Sequence, residues 1–240
     1  MPDLPAPLPP DQRTVGQLIA ETIRAYGSRF WPALLLGLPV ALADQFSVRQ
    51  PASVQMFIYW AATPLFVAAY IRAVNMLYGA AATLAAVAVA VLIYLPFPAL
   101  RAVFILPGLA WFAFIGLAVP AAMIEKLSFR EALVRGRQLG VADYVHSLGS
   151  LAALVIVVGV ADSALSALLH TQSDNGVRVA LFLADLVLSP LLFLGGALLY
   201  TDQAARVGSR THNGRSRRNA DLHPPVDADA AGRSDPQVES

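Results

Sequence analysis

Residues Val119–Gly140 read V-P-A-A-M-I-E-K-L-S-F-R-E-A-L-V-R-G-R-Q-L-G, and this stretch decides the fold class. An apolar run ends at Ile124, Glu125 and Lys126 follow at once, and a second apolar run opens near Val145. The segment between them has the signature of a helix. Ser128 and Glu131 have capping-box spacing, in which the hydroxyl and the carboxylate each satisfy a backbone N–H at the helix start. Phe129, Ala132, Leu133, Gly136 and Leu139 then recur at three- and four-residue steps, which puts them on one face. Arg130, Glu131, Arg135, Arg137 and Gln138 fall opposite, and Val134 is the one misplaced apolar residue. Glu131 and Arg135 are an i, i+4 pair with the acid N-terminal, the more favourable order. A helix with one basic and one apolar face, joined directly to an apolar run, is predicted to lie in a membrane interface.

The composition agrees. The chain is 57% hydrophobic and 14% charged, against about 25% charged residues in soluble domains. It has no cysteine, which excludes disulfides and thiolate metal sites. Sixteen arginines and one lysine, Lys126, carry the positive charge, and with the abundant alanine they point to a GC-rich bacterial genome. The first apolar run follows a proline-rich leader and an amphipathic segment, unlike a cleaved signal peptide, so the N-terminus is expected to be retained.

Five prolines within residues 1–12 predict a disordered tail. Thr14 and Gln17 give a second capping-box spacing, opening a predicted amphipathic helix over Thr14–Gly27. Six apolar runs follow, at about residues 30–46, 54–78, 80–95, 102–124, 145–169 and 177–200. Crossing the hydrocarbon takes about 20 residues, so the third run, the shortest, is either a tilted span or part of a re-entrant pair with the fourth. Residues 207–240 combine clustered arginines, acids and prolines and are predicted to be disordered.

The expected architecture is an all-α integral membrane protein. Its six-span domain covers residues 13–206, with two interfacial helices and disordered termini. With both termini cytoplasmic, fourteen Lys and Arg residues fall inside and three outside. That is the asymmetry expected of cytoplasmic loops, and it places the protein in a bacterial inner membrane.

Ionisable groups inside spans are where function would show. Asp162 and Asp185 are the candidates, either in an ion or substrate path or as structural partners of Arg101 and Arg178. Arg130, Arg135 and Arg137 are candidate lipid or topology anchors, with the bilayer and its anionic lipids as the partner. None of the four histidines makes a metal-binding spacing, and no nucleotide-binding or nucleophile-elbow motif is present. The sequence therefore predicts no metal, no cofactor, no catalytic residue and no nucleic-acid partner.

Two stretches carry a family resemblance. Ile124–Leu139, after a proline-ended run, and the closing Tyr200-Thr201-Asp202-Gln203-Ala204-Ala205-Arg206 resemble the glycerophosphoryl diester phosphodiesterase membrane-domain family of bacterial multi-span proteins. The resemblance extends over most of Thr14–Arg206. It implies a membrane bundle but not the family's enzymatic name. The phosphodiesterase barrel of the name-giving members needs about 250 residues, and forty residues follow the last run here. The expectation is a non-enzymatic membrane protein that organises or assists another envelope component, with a membrane protein as its partner. The second expectation is a small transporter or channel using Asp162 and Asp185.

Overall fold

The computed structural model describes residues 9–103, 105–169 and 174–222. Among them every regular element is helical: α1 Val15–Ser28, α2 Phe30–Leu34, α3 Leu38–Ser47, α4 Ala52–Ala61, α5 Thr63–Tyr78, α6 Leu84–Tyr94, α7 Phe97–Val103, α8 Ile105–Ile115, α9 Ala118–Ile124, α10 Phe129–Ala142, α11 Tyr144–Leu168, α12 Asp174–Leu188 and α13 Pro190–Leu222. Short 3-10 turns occupy Pro10–Gln12 and Leu35–Gly37.

Four helical stretches among the described residues are long and apolar enough to cross a membrane: Phe30–Ser47, Ile105–Ile124, Tyr144–Leu165 and Asn175–Arg210. A fifth results if α4 and α5, bent by 48° at Ala62, count as one. Pro64 explains the bend, because it cannot donate to the helix and crowds the preceding turn. The expected run at 80–95 contracts to the eleven residues of α6, about 17 Å against roughly 30 Å of hydrocarbon. Gly79 stops α5 with a left-handed φ of 65°, and Thr83 caps α6 by accepting the Ala86 N–H. Pro96 and Pro98 then end it.

The ends differ from the compositional expectation. Pro10–Gln12 forms a turn packed on α13, and α13 continues to Leu222 although residues 207–222 are predicted to be disordered. No proline interrupts 191–222, so nothing in that stretch forces the helix to stop. Residues 1–8 and 223–240 of the two predicted tails lie outside the described residues.

Helix α13 is the central post. It packs against α1, α5, α10 and α11, while α12 lies on α3 and α6 on α9. The main core is rich in aromatic rings. Phe66 stacks on Tyr59, Tyr94 and Phe193, and Phe112 meets Tyr70 and Tyr94 edge-on or tilted. The broken helices leave carbonyls without helical donors, and in an apolar medium each must be satisfied within the protein. Pro120 cannot donate to the Gly116 carbonyl, and the buried Tyr70 hydroxyl donates to it at 3.1 Å. At the end of α6, the Trp111 and Trp60 indole N–H groups donate to the Ile93 and Leu95 carbonyls at 3.0 and 2.9 Å.

Candidate functional site

Helices α1 and α10 both pack against α13. Both capping boxes form as the spacing predicts. The Thr14 hydroxyl accepts the Gln17 N–H, and the Gln17 side chain accepts the Thr14 N–H. Glu131 accepts from the Ser128 N–H at 3.0 Å and from its hydroxyl at 2.6 Å. Those two bonds hold the Glu131 carboxyl below its ordinary range.

The apolar face of each helix is covered by protein in part, with Ile23 of α1 and Phe129 of α10 left exposed. Leu18, Thr22 and Tyr26 of α1 are buried, and α1 lies on α13 and α11. In α10 the buried residues are Ala132, Gly136, Leu139 and Gly140. Glycine is required at two of them. A Cβ on Gly136 would sit 2.4 Å from the Ala118 Cβ, and one on Gly140 would sit 2.3 Å from the Phe114 carbonyl oxygen. The backbone of α10 is therefore pressed directly onto α8 and α9.

Charged side chains tie these helices together in two brackets. In the first, Glu125 ends α9 and receives the Tyr200 hydroxyl at 2.7 Å and the Arg135 Nε at 2.9 Å. The chain turns away through Lys126, whose φ of 53° is left-handed. In the second, Asp143 joins α10 to α11. One of its oxygens caps α11 by accepting the His146 N–H at 3.2 Å, and the other accepts Arg206 Nη1 at 2.6 Å. Arg206 Nη2 also donates to the Arg13 carbonyl at 2.8 Å and lies 3.3 Å from His146 Nε2. Arg13 reaches Asp202 at 3.1 Å. Arg210 donates to the Ala142 carbonyl, a cation at the C-terminal end of α10 where the helix dipole favours it. Asp202 and Gln203 are fully buried in this layer.

The predicted arginines thus separate. Arg135 is a bracket to Glu125, the Arg137 guanidinium lies 5.9 Å from the centre of the Phe114 ring, and Arg130 is exposed with no ion pair among the described residues. The two aspartates lie elsewhere, on α11 and α12. Asp185 is buried where α12 packs on α3. Asp162 is half-buried and within electrostatic reach of Asp44, which accepts the Tyr59 hydroxyl. The side chain of Arg101, an expected partner, lies outside the described residues.

Sequence reasoning missed Arg13, Asp143 and His146 as members of a common layer. The available signals were the Tyr200-x-Asp202-x-x-x-Arg206 spacing and the acid directly after an apolar run. Among the described residues no group of three or more His, Cys, Asp or Glu side chains is placed to hold a metal ion. The geometry is suited to fixing loops and terminal helices onto α13. No family model matches this chain, and no curated protein or solved structure matches it.

Proposed function

We propose that this chain is a non-enzymatic protein of the bacterial inner membrane, with six crossings and both termini cytoplasmic, that organises or assists another envelope component. The observation that carries the reading is the use of its polar groups. Two ion pairs, Arg13–Asp202 and Arg206–Asp143, tie the layer at the end of the bundle, and the Tyr70 and Trp111 donors are engaged by backbone carbonyls, while Asp202 Oδ2 and Gln203 Oε1 have no hydrogen-bond partner among the described residues. Aromatic rings fill the space between the broken helices. Such an interior suits a rigid membrane platform better than a substrate path. The third crossing is the short run at 80–95, either tilted or re-entrant with the fourth. The charge asymmetry supports the orientation, and it puts the bracketed layer on the cytoplasmic side. Kinship with the glycerophosphoryl diester phosphodiesterase membrane-domain family belongs to the same proposal. It is supported by Glu125, Tyr200, Asp202 and Arg206, which the resemblance singles out and which lie in these two brackets.

The absence of native cysteine makes topology directly testable. Single substitutions Ser28→Cys and Gln138→Cys are expected to resist a membrane-impermeant maleimide in intact cells, and Gln50→Cys to react. Labelling of all three from outside would reject the orientation. The role itself is tested by in-cell crosslinking and purification. A reproducible membrane-protein partner is expected, and its absence with normal envelope assembly in a deletion strain counts against the proposal.

A second reading, a small transporter or channel, is favoured by one observation: the buried Asp162 Oδ1 has no hydrogen-bond partner among the described residues and lies in the electrostatic reach of Asp44. Uptake and export unchanged by Asp162→Asn with Asp185→Asn would remove it.

A further inference from the structure

We infer that the outward stripe of α10, with the loop before it, binds the headgroup of an anionic phospholipid. The inference rests on the membrane reading and assigns that face its ligand. Arg130, Val134, Arg137 and Val141 are spaced i, i+4, i+7 and i+11, so they share one side of the helix. All four are exposed, Val134 at 52% and Val141 at 56%. Val134, misplaced on the helical pattern, therefore belongs to a second face that alternates cation and hydrocarbon.

The two cations of that stripe, Arg130 and Arg137, make no ion pair among the described residues. Glu125 is occupied by Arg135 and Tyr200, and Glu131 by Ser128. Arg130 and Lys126 have no ion pair among the described residues, and Arg137 meets only an aromatic ring. Between the loop and the helix is a shallow concavity lined by Glu125, Leu127, Arg130, Glu131, Val134, Arg135 and Gln138. Guanidinium and amide donors rim it beside two carboxylates, Glu125 held by Arg135 and Tyr200 and Glu131 held by Ser128, and Leu127 and Val134 give it an apolar wall. A free phosphate would use the donors alone. A phospholipid uses both, with its phosphate at the donors and its first methylenes on the valines. Val145, in the first turn of α11, is 81% exposed and adds a further apolar group after the helix. Alternation of cations with exposed valines on one stripe favours a lipid over a soluble acidic partner.

The test uses the full chain, purified and placed in nanodiscs of phosphatidylcholine containing a minor fraction of phosphatidylglycerol. Co-purified lipid is counted by native mass spectrometry. Wild type is expected to retain phosphatidylglycerol preferentially. Each juxtamembrane arginine near an anionic surface contributes about fivefold, so Arg130→Gln with Arg137→Gln should cut the preference roughly twenty-five-fold. Arg130→Lys with Arg137→Lys should keep most of it. Equal retention by wild type and the Gln pair overturns the proposal, as does a preference insensitive to salt. Complete competition by inorganic phosphate overturns the lipid assignment in favour of a free anion. Capture of an acidic protein in place of lipid overturns it too. Circular dichroism on the Gln pair excludes unfolding as the cause of a loss. Release of wild type from membranes by alkaline carbonate would instead reject the membrane reading itself.

Discussion

The close approach of α10 to α9 at Gly136 provides a matched pair of substitutions that differ in sign. In Gly136→Ala the new Cβ would lie 2.4 Å from the Ala118 Cβ and 2.6 Å from the Ala118 Cα and N. Ordinary carbon contacts are about 3.5–4.0 Å, so α10 and α9 must separate by about 1 Å. The obstructing atoms belong to backbone and a methyl group, and no flexible side-chain end is available to yield. Overpacking of this kind costs about 1–3 kcal/mol, and the better helix propensity of alanine returns at most about 1 kcal/mol. A net loss of about 1 kcal/mol follows, which for a chain of this size lowers Tm by about 2–4 °C. Gly149, in α11, is the control: nothing lies within 4 Å of its would-be Cβ. Gly149→Ala should leave Tm unchanged or raise it by a few degrees, because only the propensity gain of about 1 kcal/mol operates. The assay is thermal unfolding in detergent, read by circular dichroism and by loss of monodisperse protein. Equal behaviour of the two variants, or a higher Tm for Gly136→Ala, would refute the packing of α10 onto α9. Gly140→Ala, whose Cβ would meet the Phe114 and Ala113 carbonyl oxygens at 2.3 and 2.7 Å, should follow Gly136→Ala.

Further outcomes follow from the same geometry. Tyr70→Phe removes the donor to the Gly116 carbonyl that Pro120 cannot serve, and an unsatisfied buried carbonyl costs about 1–3 kcal/mol; an unchanged Tm would mean the carbonyl finds another partner. The Arg206–Asp143 pair is only partly buried, with side chains 17% and 26% exposed. A double-mutant cycle with Arg206→Gln and Asp143→Asn, which keeps the α11 cap, should therefore show a coupling of about 1–2 kcal/mol. Zero coupling would make the layer incidental. The Glu131 carboxyl has a lowered folded-state pKa, so its contribution is present above the unfolded value and is lost as pH falls through the folded one. Hydrogen exchange at Phe129–Ala132, corrected for intrinsic rates, should rise as pH drops below the ordinary value of 4.5 and should be insensitive to pH there in Glu131→Ala.

Much of this molecule is local and so was legible without tertiary structure. The helical class, the apolar runs and the two capping boxes each depend on residues within a few positions of one another. Ser128 with Glu131 and Thr14 with Gln17 are separated by three residues, and their bonds form as the spacing requires. The weakness of the third run was also visible, since Pro96 and Pro98 follow it directly. Other features required the packed chain. Arg135 and Arg130 are both polar-face arginines in the sequence, yet one is bound to Glu125 and the other makes no ion pair among the described residues. Arg206 joins Asp143 across 63 positions and the Arg13 carbonyl across 193. Periodicity also shows that α10 has an apolar face but not what covers it. Gly136 and Gly140 decide that, because their missing side chains admit the backbones of α9 and α8 where lipid would otherwise lie. The sequence by itself determined which residues are helical and apolar, since backbone hydrogen bonding and transfer from water are short-range properties. Only the tertiary structure decided which charges neutralise one another and which are left exposed, because ion pairing depends on separation in space and not along the chain.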